Sequence, residues 1–214
     1  NLSQAARRLA TGEKIPTSAD GGGELGVADR MRNRANTTMK LTDGMTSSLS
    51  LLSSQDESLD QASDIVLRMA EIASSALDTT KTTSDRISLD IEFQSLRNEF
   101  SAMETRRYNG VSLFGASLSV RVGVEIGATI VLSTVSLSKI TFASMTLSQL
   151  ASASAALISL RARLSSMNEL KAEVGARTNE MQRTLDYTRA HATNLREAEN
   201  QIRNIDLAIA TGEF

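Results

Sequence analysis

The chain has no cysteine, no tryptophan, one proline, one histidine and an aromatic share of 3% in 214 residues. Without cysteine there is no disulfide, no thiolate metal ligand and no cysteine nucleophile. The single proline, Pro16, sits near the start, so the rest of the chain is free to run long helices. The scarcity of aromatics speaks against a sandwich or barrel core. Apolar content comes instead from Ala, Leu, Ile, Val and Met, a set suited to packed helices. Charge of one sign is also lacking. A formal net charge of −2 gives no global attraction to nucleic acid. No apolar run approaches the roughly 18 residues of a membrane span, and no signal peptide is legible at the start.

What is present is heptad periodicity. From Glu24 to Leu77 the series Ala28, Ala35, Thr42, Leu49, Asp56, Ser63, Ala70, Leu77 interleaves with Met31, Thr38, Met45, Leu52, Leu59, Val66, Ala73. The alternating steps of three and four residues are the a and d seam of a long helix. At 1.5 Å per residue it reaches roughly 80 Å. The polar linker Thr79–Thr83 interrupts it. A second helix is expected from Ser84 or Asp85, both good N-caps, with the stripe Leu89, Phe93, Leu96, Phe100, Met103. The short linker makes the two helices an antiparallel pair.

Asn109-Gly110 marks a turn, and the period then changes to two. Leu118, Val120 and Val122 alternate with Ser117, Ser119 and Arg121, and Ile130 and Leu132 with Thr129, Val131 and Ser133, with Gly123 and Gly127 between the two runs. That pattern predicts a β-hairpin. Val135–Thr146 is read as adding a short strand. From Leu150 a second long seam runs through Leu157, Leu164, Met181 and Leu195 to Ile209, roughly 90 Å if helical. The expected fold is mainly α. It is an elongated antiparallel bundle of two long helices and one shorter helix, with a small β-hairpin region. Four segments follow: 1–23, a short helix (Asn1–Leu9) stopped at Gly12 and a loop; 24–105, the first two helices; 106–147, the hairpin region; and 148–214, the last helix packing back on the rod, one core domain in all.

Candidate chemistry is sparse. Gly21-Gly22-Gly23 lacks the following Lys-Ser/Thr and the preceding strand of a phosphate loop, and reads as a permissive lead-in to a helix. His191 stands alone beside the last seam, and no His-Glu-x-x-His motif accompanies it. Asp56 with Asp60, and Glu197 with Glu199, read as solvated helix faces, because general acid–base work needs a pocket. Arg106-Arg107 is too small a basic pair for nucleic acid. The residues suggest no catalytic site, cofactor or metal.

Several short stretches, in order along nearly the whole chain, resemble the bacterial flagellins. They are Leu9–Gly12 with Ile15 and Ser18–Asp20, Leu25–Met31, Leu49–Leu52 up to Leu59, Tyr108–Val111 with Leu113-Phe114, Val120–Gly123 with Thr129-Ile130, Glu173–Ala176 with Asn179, and Ile202–Ala208. The resemblance is to the filament core domain. It departs from the family at Pro16 and the triple Gly, before Asn109 by about one residue, and at both ends, where the family's terminal assembly helices have no counterpart. Outer domains that many flagellins insert before the last helix are absent or nearly so.

What the resemblance implies is a structural subunit, secreted to the extracellular flagellar filament. It would pass unfolded through the flagellar export apparatus and polymerise with itself through heterologous contacts. The stretch Val66–Ala73 resembles a family strip that packs between subunits and is read by the flagellin-sensing Toll-like receptor. Carried over by position, Arg68, Glu71 and Ile72 are the contacts. The family's second arginine is replaced here by Ala70. The plainer reading is that Arg68 and Glu71 form an i, i+3 surface pair. Two other functions fit parts of the pattern: a flagellin-related surface adhesin binding polysaccharide, and a hook–filament junction protein. The adhesin needs an aromatic-lined site, for which the chain is poorly supplied. The match along nearly the whole chain favours the filament subunit over the junction protein.

Overall fold

The structure is a computed structural model describing residues 11–15, 18–125, 127–132, 135–142 and 145–204. The described residues form three α-helices: α1 (Ser18–Ala76), α2 (Thr83–Met103) and α3 (Leu150–Arg203). Between α2 and α3 lie four short strands: β1 (Arg107–Tyr108), β2 (Val111–Ser112), β3 (Leu118–Arg121) and β4 (Thr129–Leu132). They make two separate two-stranded sheets, β1-β2 and β3-β4. The mainly helical class, the two long helices with a shorter one and the β3-β4 hairpin are as expected. The helix expected over Asn1–Leu9 and the seam beyond Asn204 lie outside the described residues.

Three expectations need correction. First, α1 starts at Ser18 rather than Glu24. Gly21, with φ of 169° and ψ of 61°, is not helical and breaks α1, so the continuous helix starts at Gly22 and the glycine run is the permissive lead-in expected of it. Second, the N-cap of α2 is Thr82. Its side chain accepts from the Asp85 N–H while the Asp85 carboxylate accepts from the Thr82 N–H, a capping box. Asp85 therefore sits at the third helical position instead of at the cap. Third, Leu137–Lys139 is a 3₁₀ turn, and no described residue between Val135 and Thr146 is in a strand. Leu137, Ile140 and Phe142 are buried, and the Phe142 ring meets Phe100 of α2 edge-on at 4.9 Å. Packing of irregular chain against a helix, rather than strand pairing, explains that apolar content.

The chain groups into two compact units. The first holds residues 1–46, 121–130 and 182–214. Here the buried positions of α1 are Ala28, Ala35, Thr38, Thr42 and Met45, and those of α3 are Leu185, Thr188, Ala192 and Glu199. These are a and d positions alone, the narrow seam of a helix with a single helical partner. Arg32 donates from both Nε and Nη2 to Glu199 Oε1, at 2.9 and 2.7 Å, and the pairing is antiparallel. Glu13 forms an antiparallel bridge with Asn204. The Lys14 N–H donates to the Arg203 carbonyl at 2.7 Å, and Arg203 Nε donates to Glu13 at 2.7 Å. The segment before α1 is thereby tied to the end of α3.

The second unit holds residues 47–120 and 131–181. From Leu51 the buried stripe of α1 widens. Leu51, Leu52, Gln55, Ser58, Leu59, Ala62, Ile65, Val66, Met69, Ala70, Ile72, Ala73 and Ala76 are all buried. A wider stripe means more than one neighbour. On one side α3 contributes Leu160, Met167, Val174 and Met181, and Lys171 is paired with Asp60. On another, α2 contributes Phe93, Phe100 and Met103. The β1-β2 hairpin adds a third contact, where Gln55 donates to the Leu113 carbonyl. From Arg32 to Asp60 is four heptads up α1, and from Glu199 to Lys171 four heptads down α3. Each unit thus contains the same antiparallel register of the two long helices.

Local chemistry closes the turns. The last turn of α1 carries no basic residue. Arg86 of α2 supplies the cation instead, donating to the carbonyls of Ala76 and Asp78 at 2.9 and 3.0 Å, which meets acceptors that a helix end leaves open. In the β1-β2 hairpin Asn109 and Gly110 have φ of 46° and 79°, the two left-handed residues of a type I′ turn. Gly123 follows β3, where a Cβ would come within 2.7 Å of the Ala128 Cβ. The Val122 and Gly123 N–H groups both donate to the Ala128 carbonyl there, so the close approach needs glycine.

Two outcomes follow for denaturation measurements. Phe93→Ala removes a fully buried ring and is expected to cost about 3–5 kcal/mol, and Thr82→Ala about 1 kcal/mol. The Asp85 carboxyl is held below its ordinary value, first by the Thr82 N–H and then by the Thr82 hydroxyl. A lowered folded-state pKa adds stability above the unfolded-state value of about 3.9, and that increment disappears as pH falls through the folded-state value. Acid titration of the melting temperature is expected to show this loss more weakly in Thr82→Ala.

Candidate functional site

The residues carried over from the resemblance lie on the widened part of α1. Heptad spacing decides which of them faces out. Val66, Met69, Ala70 and Ala73 are turned inward and buried, which leaves Leu67, Arg68 and Glu71 outside. The Leu67 side of the strip is half exposed. The Arg68 and Glu71 side chains are 54% and 57% exposed. Ile72 belongs to the other set: it is 2% exposed, so its side chain packs inward beneath the strip and offers no surface to a partner.

Arg68 has two carboxylate partners. Its Nη1 donates to Glu71 at 3.1 Å. Its Nε and Nη2 both donate to Glu92 Oε1 of α2, at 3.2 and 2.8 Å. The hydrogen bond to Glu92, followed by the one to Glu71, holds the guanidinium pKa above its ordinary value. So the expected i, i+3 pair is present, but as one arm of a three-residue cluster. All three side chains are largely in water, where such pairs add little stability. The cluster carries two negative charges and one positive. A partner that reads Arg68 must compete with both carboxylates or add to them.

Glu92 is the residue that sequence reasoning missed. It lies 24 positions from Arg68, beyond the reach of helical spacing. A signal was nonetheless available. The antiparallel pair reverses at Thr79-Thr80, and Arg68 and Glu92 stand equally far from Thr80 on either side. Folding the two helices back at that linker places them opposite one another.

Other candidates gather no chemistry. His191 lies with its ring parallel to that of Tyr187, centroids 6.1 Å apart. No group of three or more His, Cys, Asp or Glu among the described residues is arranged to hold a metal ion. Asp56 and Asp60 face the α3 lysine, Lys171, whose pKa is held up first by its hydrogen bond to Asp60. Glu199 accepts from Arg32 and is drawn into the seam, while Glu197 stays exposed. No described helix is long and apolar enough to cross a membrane.

Residues 1–118 match the family described as the bacterial flagellin N-terminal helical region. Among individual proteins, the chain is similar to a flagellin of Halalkalibacterium halodurans, with 26% identity over all of this chain and 83% of that protein. It is also similar to flagellin FlaB1 of Treponema pallidum, with 21% identity over all of this chain and 82% of that one. Among solved structures, Bacillus cereus flagellin shares the fold. The TM-score is 0.61 at 24% identity, over 73% of this chain and 93% of that one.

Melting measurements on two variants separate the outer and inner residues of the strip. Arg68→Ala is expected to leave the transition almost unmoved, because its partners remain solvated. Ile72→Ala is expected to lower stability by about 2–5 kcal/mol.

Proposed function

The chain belongs to the bacterial flagellins and is a structural subunit of the flagellar filament, and from that premise we propose how its surfaces are used. The observation that carries the reading is the pairing of two long helices, whose narrow seam in the first unit leaves most of the helix surface there outside the core. The flanks are covered in the polymer by other copies. Those contacts are heterologous, joining different surfaces of successive subunits, and so propagate an open helical array instead of closing a ring. The subunit reaches the cell exterior through the flagellar export apparatus.

The Arg68–Glu71–Glu92 cluster is the surface of α1 and α2 offered to a protein partner, either the adjacent subunit or the flagellin-sensing Toll-like receptor. An arginine flanked by the half-exposed Leu67 has the chemistry of an interface anchor. Ile72 supports the strip from its buried side. The adhesin reading gains no support from the phenylalanines, because Phe93, Phe100, Phe114 and Phe142 are all buried in the core; the exposed Tyr187 stacks on His191.

Two measurements test this reading. Electron microscopy of the full-length gene product under polymerising conditions is expected to show filaments. Persistent monomers would return weight to the adhesin and junction readings. A binding assay against the receptor ectodomain is expected to show binding that Arg68→Ala weakens by about tenfold, a typical anchor loss of 1.4 kcal/mol. Undetectable binding by the unsubstituted chain would remove the receptor from the account.

A further inference from the structure

The start of α3 and the irregular segment before it border an open pocket of about 340 Å³. Its walls carry the hydroxyl groups of Thr141, Thr146, Ser152 and Ser159 and the guanidinium of Arg163, together with Met145 and two alanines. No carboxylate is among the lining residues. Arg163 differs from the arginines of the seam and of the α1–α2 surface. Arg32, Arg68 and Arg203 are each paired with carboxylates. The Arg163 Nε is buried from solvent and has no hydrogen-bond partner among the described residues.

A buried N–H donor left without an acceptor is costly, and more so on a charged group. A long side chain on a helix leans toward the helix N-terminus, which turns the Arg163 guanidinium toward Ser159, one turn earlier on the same face. Neither the Ser159 nor the Thr141 hydroxyl is engaged with another described residue, so both are free to donate as well. Ser152 donates to the Gln149 carbonyl at 2.9 Å, and Thr146 is shared with Ser148. The pocket therefore offers one planar cation, free hydroxyl donors and no competing anion. A guanidinium edge matches the two oxygens of a carboxylate or of a phosphate.

We propose that this pocket is an oxyanion site, in which Arg163 binds a carboxylate or phosphate-type group and Ser159 and Thr141 donate to its oxygens. The group comes either from a small acid in solution or from an acidic side chain of a second copy. The second source rests on the filament reading above; the first does not. Lysine at position 163 is a poor substitute, because an ammonium keeps the charge but loses the two-pronged donor edge.

The test follows the Arg163 Nε–Hε signal by NMR in the ¹⁵N-labelled chain. In one arm, dilute protein is titrated with acetate and then with inorganic phosphate. In the other, protein concentration is raised with no added anion. The site is supported if the Arg163 signal moves and saturates, in either arm, while the other arginine signals do not. Affinity for the added anion should then drop tenfold or more in both Arg163→Gln and Arg163→Lys, with the melting temperature recorded to show that each variant is folded. Saturation with added anion alone identifies a small-acid ligand, and saturation with protein concentration alone identifies a second copy. The proposal is overturned if Arg163 shifts no more than the other arginines in both arms, or if folded Arg163→Gln binds anion as tightly as the parent. Failure to form filaments bears on the function and leaves the first arm intact.

Discussion

An a/d stripe on a helix of more than fifty residues is too narrow to be buried by the helix that carries it. That constraint governs the structure. α1 and α3 both meet it, at 59 and 54 residues, and each supplies what the other lacks. Apolar burial holds them together, at about 25 cal/mol per Å² removed from water, but burial alone is indifferent to sliding by a heptad. Polar groups break that indifference. Arg32 reaches Glu199 in one unit and Lys171 reaches Asp60 in the other, and both pairs belong to one register. Any slip of a heptad separates them and leaves Glu199, only 11% exposed at its side chain, without its hydrogen-bonded cation Arg32, with only the more distant Arg203 of its own helix at 3.9 Å.

The two units solve the remainder differently. In the first unit the buried positions of α1 and α3 are few and include small residues, Ala28, Ala35, Thr38, Thr42, Thr188 and Ala192. Two of the threonines return their hydroxyls to their own helix, Thr42 to the Met39 carbonyl and Thr188 to that of Thr184, which lets a polar side chain sit in a seam without a cross-helix partner; the buried Thr38 hydroxyl has no partner among the described residues. Where α2 and the β1-β2 hairpin join, the stripe on α1 roughly doubles in width and the side chains grow: Leu52, Leu59, Met69, Phe93 and Leu160 are fully buried. The widening also decides which parts of the strip from Val66 to Ala73 remain available. It draws Ile72 inward and leaves Leu67, Arg68 and Glu71 on the surface.

Much of this was legible in the residues. Heptad spacing located all three helices, because a period repeated over tens of positions averages out local exceptions. Alternation located β3 and β4, and Asn109-Gly110 located the β1-β2 turn. What spacing could not supply were contacts made across the fold. The heptad reading placed Asp56, Ser63 and Lys171 on the seam, and all three are only partly buried. It could not show Gln55 buried against the Leu113 carbonyl, since that depends on a hairpin some sixty residues away. The apolar residues Leu137, Ile140 and Phe142 suggest a short strand within Val135–Thr146, yet none of its described residues is in a strand. Leu147 is instead held by the Asp90 carboxylate at 2.7 Å, and Phe142 by Phe100. At the candidate site Arg68 and Glu71 were visible as a local pair, while Glu92 and the burial of Ile72 required the second helix.

Zero-length carbodiimide coupling of the monomeric protein, read by mass spectrometry, tests the antiparallel register most directly, because it joins only a lysine and a carboxylate already in contact. The chain's own residues suffice. The register described here predicts Lys171 joined chiefly to Asp60, with lesser products at Asp56 and Asp64, one turn to either side. Lys171 joined chiefly to carboxylates of α2, to acids of α1 a heptad or more from Asp60, or to none of α1 would contradict it.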